Sequence, residues 1–471
     1  MSTITDATQT INNDFRAISN AFLQQPGLPF ANVLPAERIA EVFEQEDAMF
    51  AEDDIFSTPV VLWAFLAQTL RDRKMASCRQ ATMDIAVYKT HNGQRPPCGD
   101  TGDYCRARAK LDENVLRKLV VEIGHKLQAT VDEKHLWKGR NAKLVDGFTF
   151  TMPDTEANQS EYPQNPVQKP GIGFPIARAC AILSLATAGV MDLAIGPYSG
   201  KKTGETALLR QMLDSFEPGD LVVFDRYYCS YFMIALLAMR GVDVCVRMHQ
   251  RRDCDFSLGK QLGDDDHLVT WSRPAKPEWM DEETYGKIPQ MIELREMRFR
   301  VEESSRVDEI TVATTLLDPN EYSSLDVANL FGFRWNSELD IRDIKQTLNL
   351  DHVRCKSPVM VRRELWTTLL GYNLVRETIV AAATVHDKSP RQLSFTGACQ
   401  AILSAWMLFS AGSFSSSDRR KITTTLLHQI ALQEVANRPG RIEPRVLKRR
   451  RHRYPLMQKP RCRLKRELQK T

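Results

Sequence analysis

The chain predicts an α/β fold flanked by helical regions on both sides. Three observations carry that reading. Apolar residues recur at helical spacing up to about residue 138, strand alternation and short β-branched runs take over from residue 142, and helical spacing returns after residue 323. A length of 471 residues is enough for two to four domains, and 43% hydrophobic with 26% charged residues is ordinary for a soluble protein. The N-terminus is rich in Thr, Asn, Gln and Asp and lacks the charged, apolar and small-residue pattern of a secretory signal, so cytoplasmic residence is expected.

The elements follow in order. Residues 58–70 and 77–89 read as two helices joined by the basic link Arg71-Asp-Arg-Lys74, with Ser77 as N-cap and Arg79 and Lys89 exposed. The pair fits a helix-turn-helix and a plain helical hairpin equally. A loop with Pro96, Pro97 and three glycines separates it from a helical pattern over 104–127. Residues 144–152, 179–186 and 190–195 then read as strands, the last two as a hairpin around Ala188-Gly189. A helix over 206–215, a strand ending at Phe224, a helix over 229–240 and a strand over 242–247 follow. Strand-like stretches at 267–272, 292–302 and 309–317 are separated by Pro274, Pro277 and Pro289. Residues 330–345 read as a helix with the apolar stripe Leu330, Phe333, Ile341, Ile344 and Leu348, and residues 358–380 and 393–409 as largely buried helices.

Three acids stand out. Asp225 ends the run Leu221-Val-Val-Phe224, and Asp146 follows Lys143-Leu-Val145, so both sit where strands are expected to stop. The carboxyl ends of strands are where α/β folds bind ligands, although a lone aspartate, and Asp146-Gly147 in particular, also suits a turn. On the helix, Phe331, Arg334, Glu338 and Lys345 fall within an arc of roughly 60°. A carboxylate between two cations suits phosphate and metal together, whereas the plainer reading is an exposed i,i+4 pair of Arg334 and Glu338.

The order and spacing of these motifs resemble the DDE transposases of bacterial insertion sequences, in the insertion-sequence-four group. That group's signature helix reads Tyr, two residues, Arg, three residues, Glu, six residues, Lys, which is similar to Phe331, Arg334, Glu338 and Lys345 here. Leu144-Val-Asp-Gly-Phe-Thr-Phe-Thr-Met-Pro-Asp-Thr-Glu-Ala-Asn158 resembles its first-aspartate segment, Phe224-Asp-Arg-Tyr-Tyr-Cys-Ser-Tyr-Phe232 its second, and Tyr372-Asn-Leu-Val-Arg376 a downstream one. Phe331 departs from the pattern: a phenyl ring cannot donate the hydrogen bond that a tyrosine hydroxyl would offer a phosphate.

The resemblance implies a ribonuclease H-like catalytic core with a β-rich insertion, flanked by helical N- and C-terminal regions. The expected divisions are a helical unit at 1–138 that recognises DNA ends, the first part of the core at 139–247, the insertion at 248–322, the catalytic helix at 323–352, a helical region at 353–437 and a basic tail at 438–471. It further implies cleavage at insertion-sequence ends and strand transfer into target DNA, on double-stranded DNA, by a dimer on paired ends, at the bacterial nucleoid. Two divalent metals about 4 Å apart activate the nucleophile, stabilise the leaving oxygen and screen the phosphate. Asp146, Asp225 and Glu338 would hold two Mg²⁺ ions, for which Mn²⁺ substitutes. Arg334 would grip a phosphate bidentately, and Lys345 would act as a point charge on the DNA backbone. A nuclease without strand transfer and an impaired DNA-binding remnant acting as regulator are the alternatives.

Charge is distributed to suit. Residues 438–471 hold fourteen Lys or Arg against two Glu, a balance of +12, and the total of +4 leaves −8 on the first 437. Arg445, Lys448, Arg449, Arg450 and Arg451, between Pro444 and Pro455, suit an extended arm along phosphates or a solubilising terminus. Residues 1–60 carry ten acids and two bases, which argues against DNA contact there. Ten cysteines without a Cys-x-x-Cys pair read as reduced thiols.

Several signals point elsewhere and are weaker. Gly196-Pro-Tyr-Ser-Gly-Lys-Lys-Thr203 has the wrong spacing for a nucleotide-binding loop, so no nucleotide is expected. The uncharged stretch 392–417 is rich in Ser, Thr, Gln and Gly and fits a buried helix better than a membrane span. Asp154 and Glu156 rival Asp146 as a ligand but, next to Pro153, suit a turn. Asp264-Asp-Asp-His267 suits a solvated turn, and Trp271, Trp279 and Trp335 suit a core more than base stacking.

Overall fold

The computed structural model describes residues 36–50, 55–71, 75–91, 93–200, 203–252, 254–303, 306–411, 415–435 and 459–469. Among the described residues five helices come first: α1 (Ala36–Gln45), α2 (Thr58–Leu70), α3 (Cys78–His91), α4 (Gly102–Arg108) and α5 (Glu113–Thr130). The run from Val60 to Ala67 in α2 is apolar throughout and buried throughout. A helix without a polar face is stable only inside a protein. Its partner α3 leaves Arg79, Met83 and Val87 exposed, while Lys89, expected on the surface, is buried. Asp112 caps α5 by accepting from the amides of Asn114 and Val115.

The sheet begins with β1 (Ala142–Thr151), a short helix α6 (Glu156–Glu161), and the hairpin β2 (Ile176–Ser184) and β3 (Val190–Pro197). Ala188 turns that hairpin with φ 61°. Next come α7 (Glu205–Leu209), which tightens into a 3₁₀ turn over Arg210–Ser215, then β4 (Leu221–Phe224), α8 (Tyr231–Ala238) and β5 (Asp243–Arg247). The helices expected at 206–215 and 229–240 are thus shorter than their apolar patterns. A 3₁₀ turn over Arg226–Tyr228 delays α8 until the Ser230 hydroxyl caps it.

β1 pairs antiparallel with β2 and β2 with β3, while β4 lies parallel to β1 and β5 parallel to β4. Three antiparallel strands followed by helix-strand alternation is the ribonuclease H-like arrangement that the motifs implied. β6 (Lys260–Gly263), β7 (Asp266–Ser272), α9 (Glu282–Lys287), β8 (Met291–Glu303) and β9 (Arg306–Thr314) then extend the same sheet, because β9 returns to pair with β5. The strand order is β3-β2-β1-β4-β5-β9-β8-β7-β6. Asp266, read from sequence as part of a solvated turn, is buried against Arg295 at 2.8 Å, whereas Asp264 and Asp265 are the exposed turn.

The helix expected over 330–345 is three elements: α10 (Ser324–Gly332), α11 (Trp335–Arg342) and a π turn over Asp343–Thr347. The break rotates the apolar stripe, so Phe333 is exposed while Phe331 is buried with Val327 and Leu330. Downstream lie α12 (Pro358–Val385), α13 (Phe395–Ala411), α14 (Ser416–Leu432) and α15 (Arg461–Leu468). From Leu365 to Val380 every residue of α12 is buried. Around it α2, α5, α13 and α14 form one helical layer with the inward face of the sheet. α7 and α8 cover the other face. Among the described residues no helix is long and apolar enough to cross a membrane.

Buried polar contacts fix α12 in place. The Asn373 side chain accepts from the Val190 amide at 2.8 Å and donates to the carbonyls of Val120 and Val190, joining α12, α5 and β3. Arg376 meets Asp343 at 3.1 Å and Asp340 at 3.4 Å, and Arg391 meets Asp340 at 2.9 Å. Breaking such a pair strands a charge away from water. Asp340→Asn is therefore expected to lower unfolding free energy by about 3–5 kcal/mol in urea titrations. A loss below about 1 kcal/mol would mean that the network carries no weight.

Candidate active site

Asp146 lies in the middle of β1 and not at a strand end. Its pairing with β2 continues to Thr151, whereas the parallel pairing with β4 stops at Val145 opposite Phe224. Asp146 and Asp225 are consequently the next residues on two adjacent strands, at the point where a crevice opens. Asp146-Gly147 is extended backbone and not the turn its composition allows. Asp225 accepts from its neighbouring amide, Arg226, at 2.7 Å.

Successive side chains point to opposite faces of a strand. On one face α11 packs over β1, and the Ser337 hydroxyl donates to Asp146 Oδ2 at 2.8 Å while the Gly147 amide donates to Oδ1 at 2.8 Å. On the other face Gly147 has no side chain, and Glu205, the first residue of α7, fills the space: a Cβ at 147 would lie 2.2 Å from Glu205 Cδ. Glu338 is half-exposed beside Arg334, whose Nη2 is 3.0 Å from Oε1. Lys345 sits in the π turn and pairs with Asp351 at 3.2 Å.

Asp146, Glu205, Glu338, Lys345, Arg178 and Tyr198 line one open cleft of about 470 Å³. Burial pushes the Asp146 carboxyl above its ordinary range, opposed by hydrogen bonds from Ser337 and Gly147 and by Arg334, and reinforced by Glu338. Burial likewise raises Glu205, with Arg178 opposing and the Asp146 and Asp225 charges adding. Each acid thus makes its neighbours harder to ionise. No three of these carboxylates gather within 4.8 Å, so among the described residues they form a spread set of hard oxygen donors and not a closed cage.

Sequence reading did not single out Glu205, Arg178, Tyr198 or Ser337. An acid at the start of a helix ordinarily reads as a dipole partner, and a serine beside Glu338 carries no signal of its own. Phe331 is in the core and does not line the cleft. Asp154 is turned toward Gln159 and Arg461, and Glu156 is exposed. Trp271 is buried, whereas Trp335 is exposed and Trp279 partly so. Arg445, Lys448, Arg449, Arg450 and Arg451, with Lys201 and Lys202 of the glycine-flanked loop, lie outside the described residues.

Because the atoms that a Cβ at 147 would meet belong to the flexible end of Glu205, Gly147→Ala is expected to cost less than about 1.5 kcal/mol while driving the Glu205 carboxylate out of the cleft. Thermal melts with a crystal structure of the variant check both parts. An unmoved Glu205 would contradict the packing described.

A family described as a transposase DDE domain matches residues 137–374, half of the chain and the whole span from β1 to the middle of α12. Over 442 residues the chain is 23% identical to the transposase InsG for insertion sequence element IS4 of Escherichia coli (strain K12), covering 92% of this chain and 94% of that one. Among solved structures, the cryo-EM structure of the piggyBac transposase synaptic complex with hairpin DNA is similar at a TM-score of 0.44 and 9% identity, covering 92% of this chain and 88% of that one. The chain belongs to the DDE transposase family and is a DNA-cleaving and strand-transferring enzyme that works with divalent metal.

Proposed function

We propose that Asp146, Asp225 and Glu338 hold two Mg²⁺ ions, replaceable by Mn²⁺, and that Glu205 is a fourth acidic contributor to the same cleft. The observation that carries this reading is that Asp146 and Asp225 stand side by side where the β1–β4 pairing ends, with Glu205 and Glu338 lining the same cleft as Asp146. Their donor set is carboxylate oxygen throughout, which suits a hard cation that keeps waters and takes its remaining ligands from substrate phosphate. When bound, such ions would activate the attacking oxygen and stabilise the leaving one.

The chain's own groups do the positioning. Ser337 and the Gly147 amide fix the Asp146 carboxylate, leaving its remaining lone pairs directed into the cleft. Arg334 holds Glu338 and offers further guanidinium donors to a phosphate. Lys345 borders both the acidic cleft and a neighbouring cavity of about 930 Å³, which suits a contact with the DNA backbone between them. Arg178 lines the cleft with its guanidinium 4.9 Å over the Tyr198 ring, a cation that opposes the charge of the acids.

End recognition falls to residues 1–138, in which α3 with its exposed Arg79 is better placed than the buried α2. The basic tail, Arg445 and Lys448 to Arg451 included, would lie along phosphates. Its last helix, α15, docks beyond the carboxyl end of β1, where the Arg461 amide donates to the Gly171 carbonyl at 3.2 Å and its guanidinium meets Asp154. A dimer would hold paired element ends, and the substrate DNA would be engaged at the nucleoid.

The test uses the full chain with cognate end DNA, Mg²⁺ or Mn²⁺, and a strand-joining assay with pre-cut ends. Asp225→Asn and Glu338→Gln are each expected to slow nicking by on the order of 10²–10³-fold or more, as for loss of one group that stabilises transition-state charge. Glu205→Gln is expected to raise the Mg²⁺ concentration for half-maximal nicking by about 10–100-fold. Undiminished nicking by Asp225→Asn or Glu338→Gln overturns the assignment.

A further inference from the structure

A second set of converging donors lies away from the cleft, in the strands that extend the sheet. His267 on β7 and Glu296 on β8 are direct cross-strand partners. Cys254, in the loop between β5 and β6, reaches over them. Cys254 Sγ is 2.9 Å from Glu296 Oε2 and 3.8 Å from His267 Nε2, and Nε2 is 3.1 Å from the same Oε2. His267 and Glu296 are fully or nearly buried, and the Phe256 ring lies 4.6 Å from the imidazole, tilted by 37°.

Proton placement makes the arrangement informative. His267 Nδ1 lies 2.7 Å from the carbonyl oxygen of Leu258, which can only accept, so Nδ1 carries the hydrogen. In the neutral ring Nε2 then presents a lone pair to a carboxylate oxygen that also has only lone pairs. Two acceptors 3.1 Å apart repel unless a cation lies between them. A proton would serve, as an imidazolium–carboxylate pair, and so would a metal ion.

Two further features favour the metal. A thiol sulfur, an imidazole nitrogen and a carboxylate oxygen from three separate segments share one point, with separations of 2.9 to 3.8 Å. That is a borderline-soft donor set whose 3.1 and 3.8 Å separations bracket the roughly 3.3–3.6 Å between adjacent corners around a tetrahedral ion with bonds of about 2.0–2.3 Å, while the 2.9 Å thiol–carboxylate contact is a hydrogen bond that opens when an ion replaces its proton. The outer contacts are also those that orient metal ligands: the Leu258 carbonyl holds His267 Nδ1–H, and Trp271 Nε1–H donates to Glu296 Oε1 at 2.7 Å, leaving Oε2 free to face inward. We propose that Cys254, His267 and Glu296 form a structural site for one Zn²⁺-class cation, separate from the acidic cleft. The site would pin the loop after β5 to β7 and β8. That loop also reaches back to the neighbour of Asp225, because Arg226 donates to Gln250 at 3.2 Å.

The experiment uses the full chain carrying Asp146→Asn and Glu338→Gln, so that ions in the cleft do not contribute. Zn²⁺ titration and elemental analysis are expected to give one equivalent. Co²⁺ substitution should yield a thiolate-to-metal charge-transfer band that hard oxygen ligands cannot produce. Cys254→Ala should abolish that band, and Trp271→Phe should weaken Zn²⁺ affinity by about 10–100-fold, a change that a purely packing role would not cause. Circular dichroism establishes that each variant is folded. If the folded parent binds no Zn²⁺ and Co²⁺ gives no thiolate band, a proton bridges His267 and Glu296 and the proposal falls.

Discussion

The geometry of the cleft depends on how Asp340 is held. Glu338 is carried on α11, a helix of eight residues, too short to persist on its own and poor in apolar surface. Its buried residues are Ser337, Asp340 and Ile341, two of the three polar. Hydrophobic burial therefore cannot be what fixes its rotation about its axis. Ion pairs do so: Arg376 from α12 and Arg391 beyond it clamp Asp340, and Arg391 also donates to the carbonyls of Ser184 and Leu185 at the β2–β3 hairpin. Replacing such a network with apolar groups can leave stability unchanged, so its value here is directional. With Asp340 pointing inward, Ser337 reaches Asp146 one turn earlier and Glu338 is turned to the cleft.

The π turn after α11 follows from the same constraint. Asp343 is drawn to Arg376, burial raising its carboxyl above the ordinary range while Arg376 opposes the rise. The extra residue in the turn lets Ile344 stay in the core while Lys345 faces the cleft beside Glu338 and Ile341. Single π turns inside α-helices recur at functional sites because they shift one side chain's direction without ending the helix.

Much of the fold was legible in residue patterns, because strands and helices here bury one face or all faces and their apolar periods say so. The helix at 58–70, the strands on either side of Ala188 and the Asp225 strand end all follow from local chemistry. What escaped reading depends on partners remote in sequence. Asp146 looks like a turn residue because nothing local reveals that β4 stops beside it while β2 continues. Phe331 and Phe333 exchange places because the helix breaks between them. Glu205 is silent in the sequence because its meaning lies in the missing side chain of Gly147, 58 positions earlier. Lys89 is buried although its helix period suggests a surface charge.

The distribution of charge separates affinity from chemistry. Asp146, Glu205 and Glu338 make the cleft repel an anion, with the Asp225 charge close to Glu205, and Arg178 and Lys345 stand at its sides without filling it. A lysine set between the acids would relieve their repulsion, and none stands there: Lys345 pairs with Asp351. The acids of the cleft thus keep their mutual repulsion, and the first 437 residues, at −8, have little general attraction for DNA. Residues 438–471, at +12, carry the opposite balance, the charge that sequence-independent and salt-sensitive phosphate contacts require. With the basic charge segregated in sequence from the acids of the cleft, the acidic site can stay acidic.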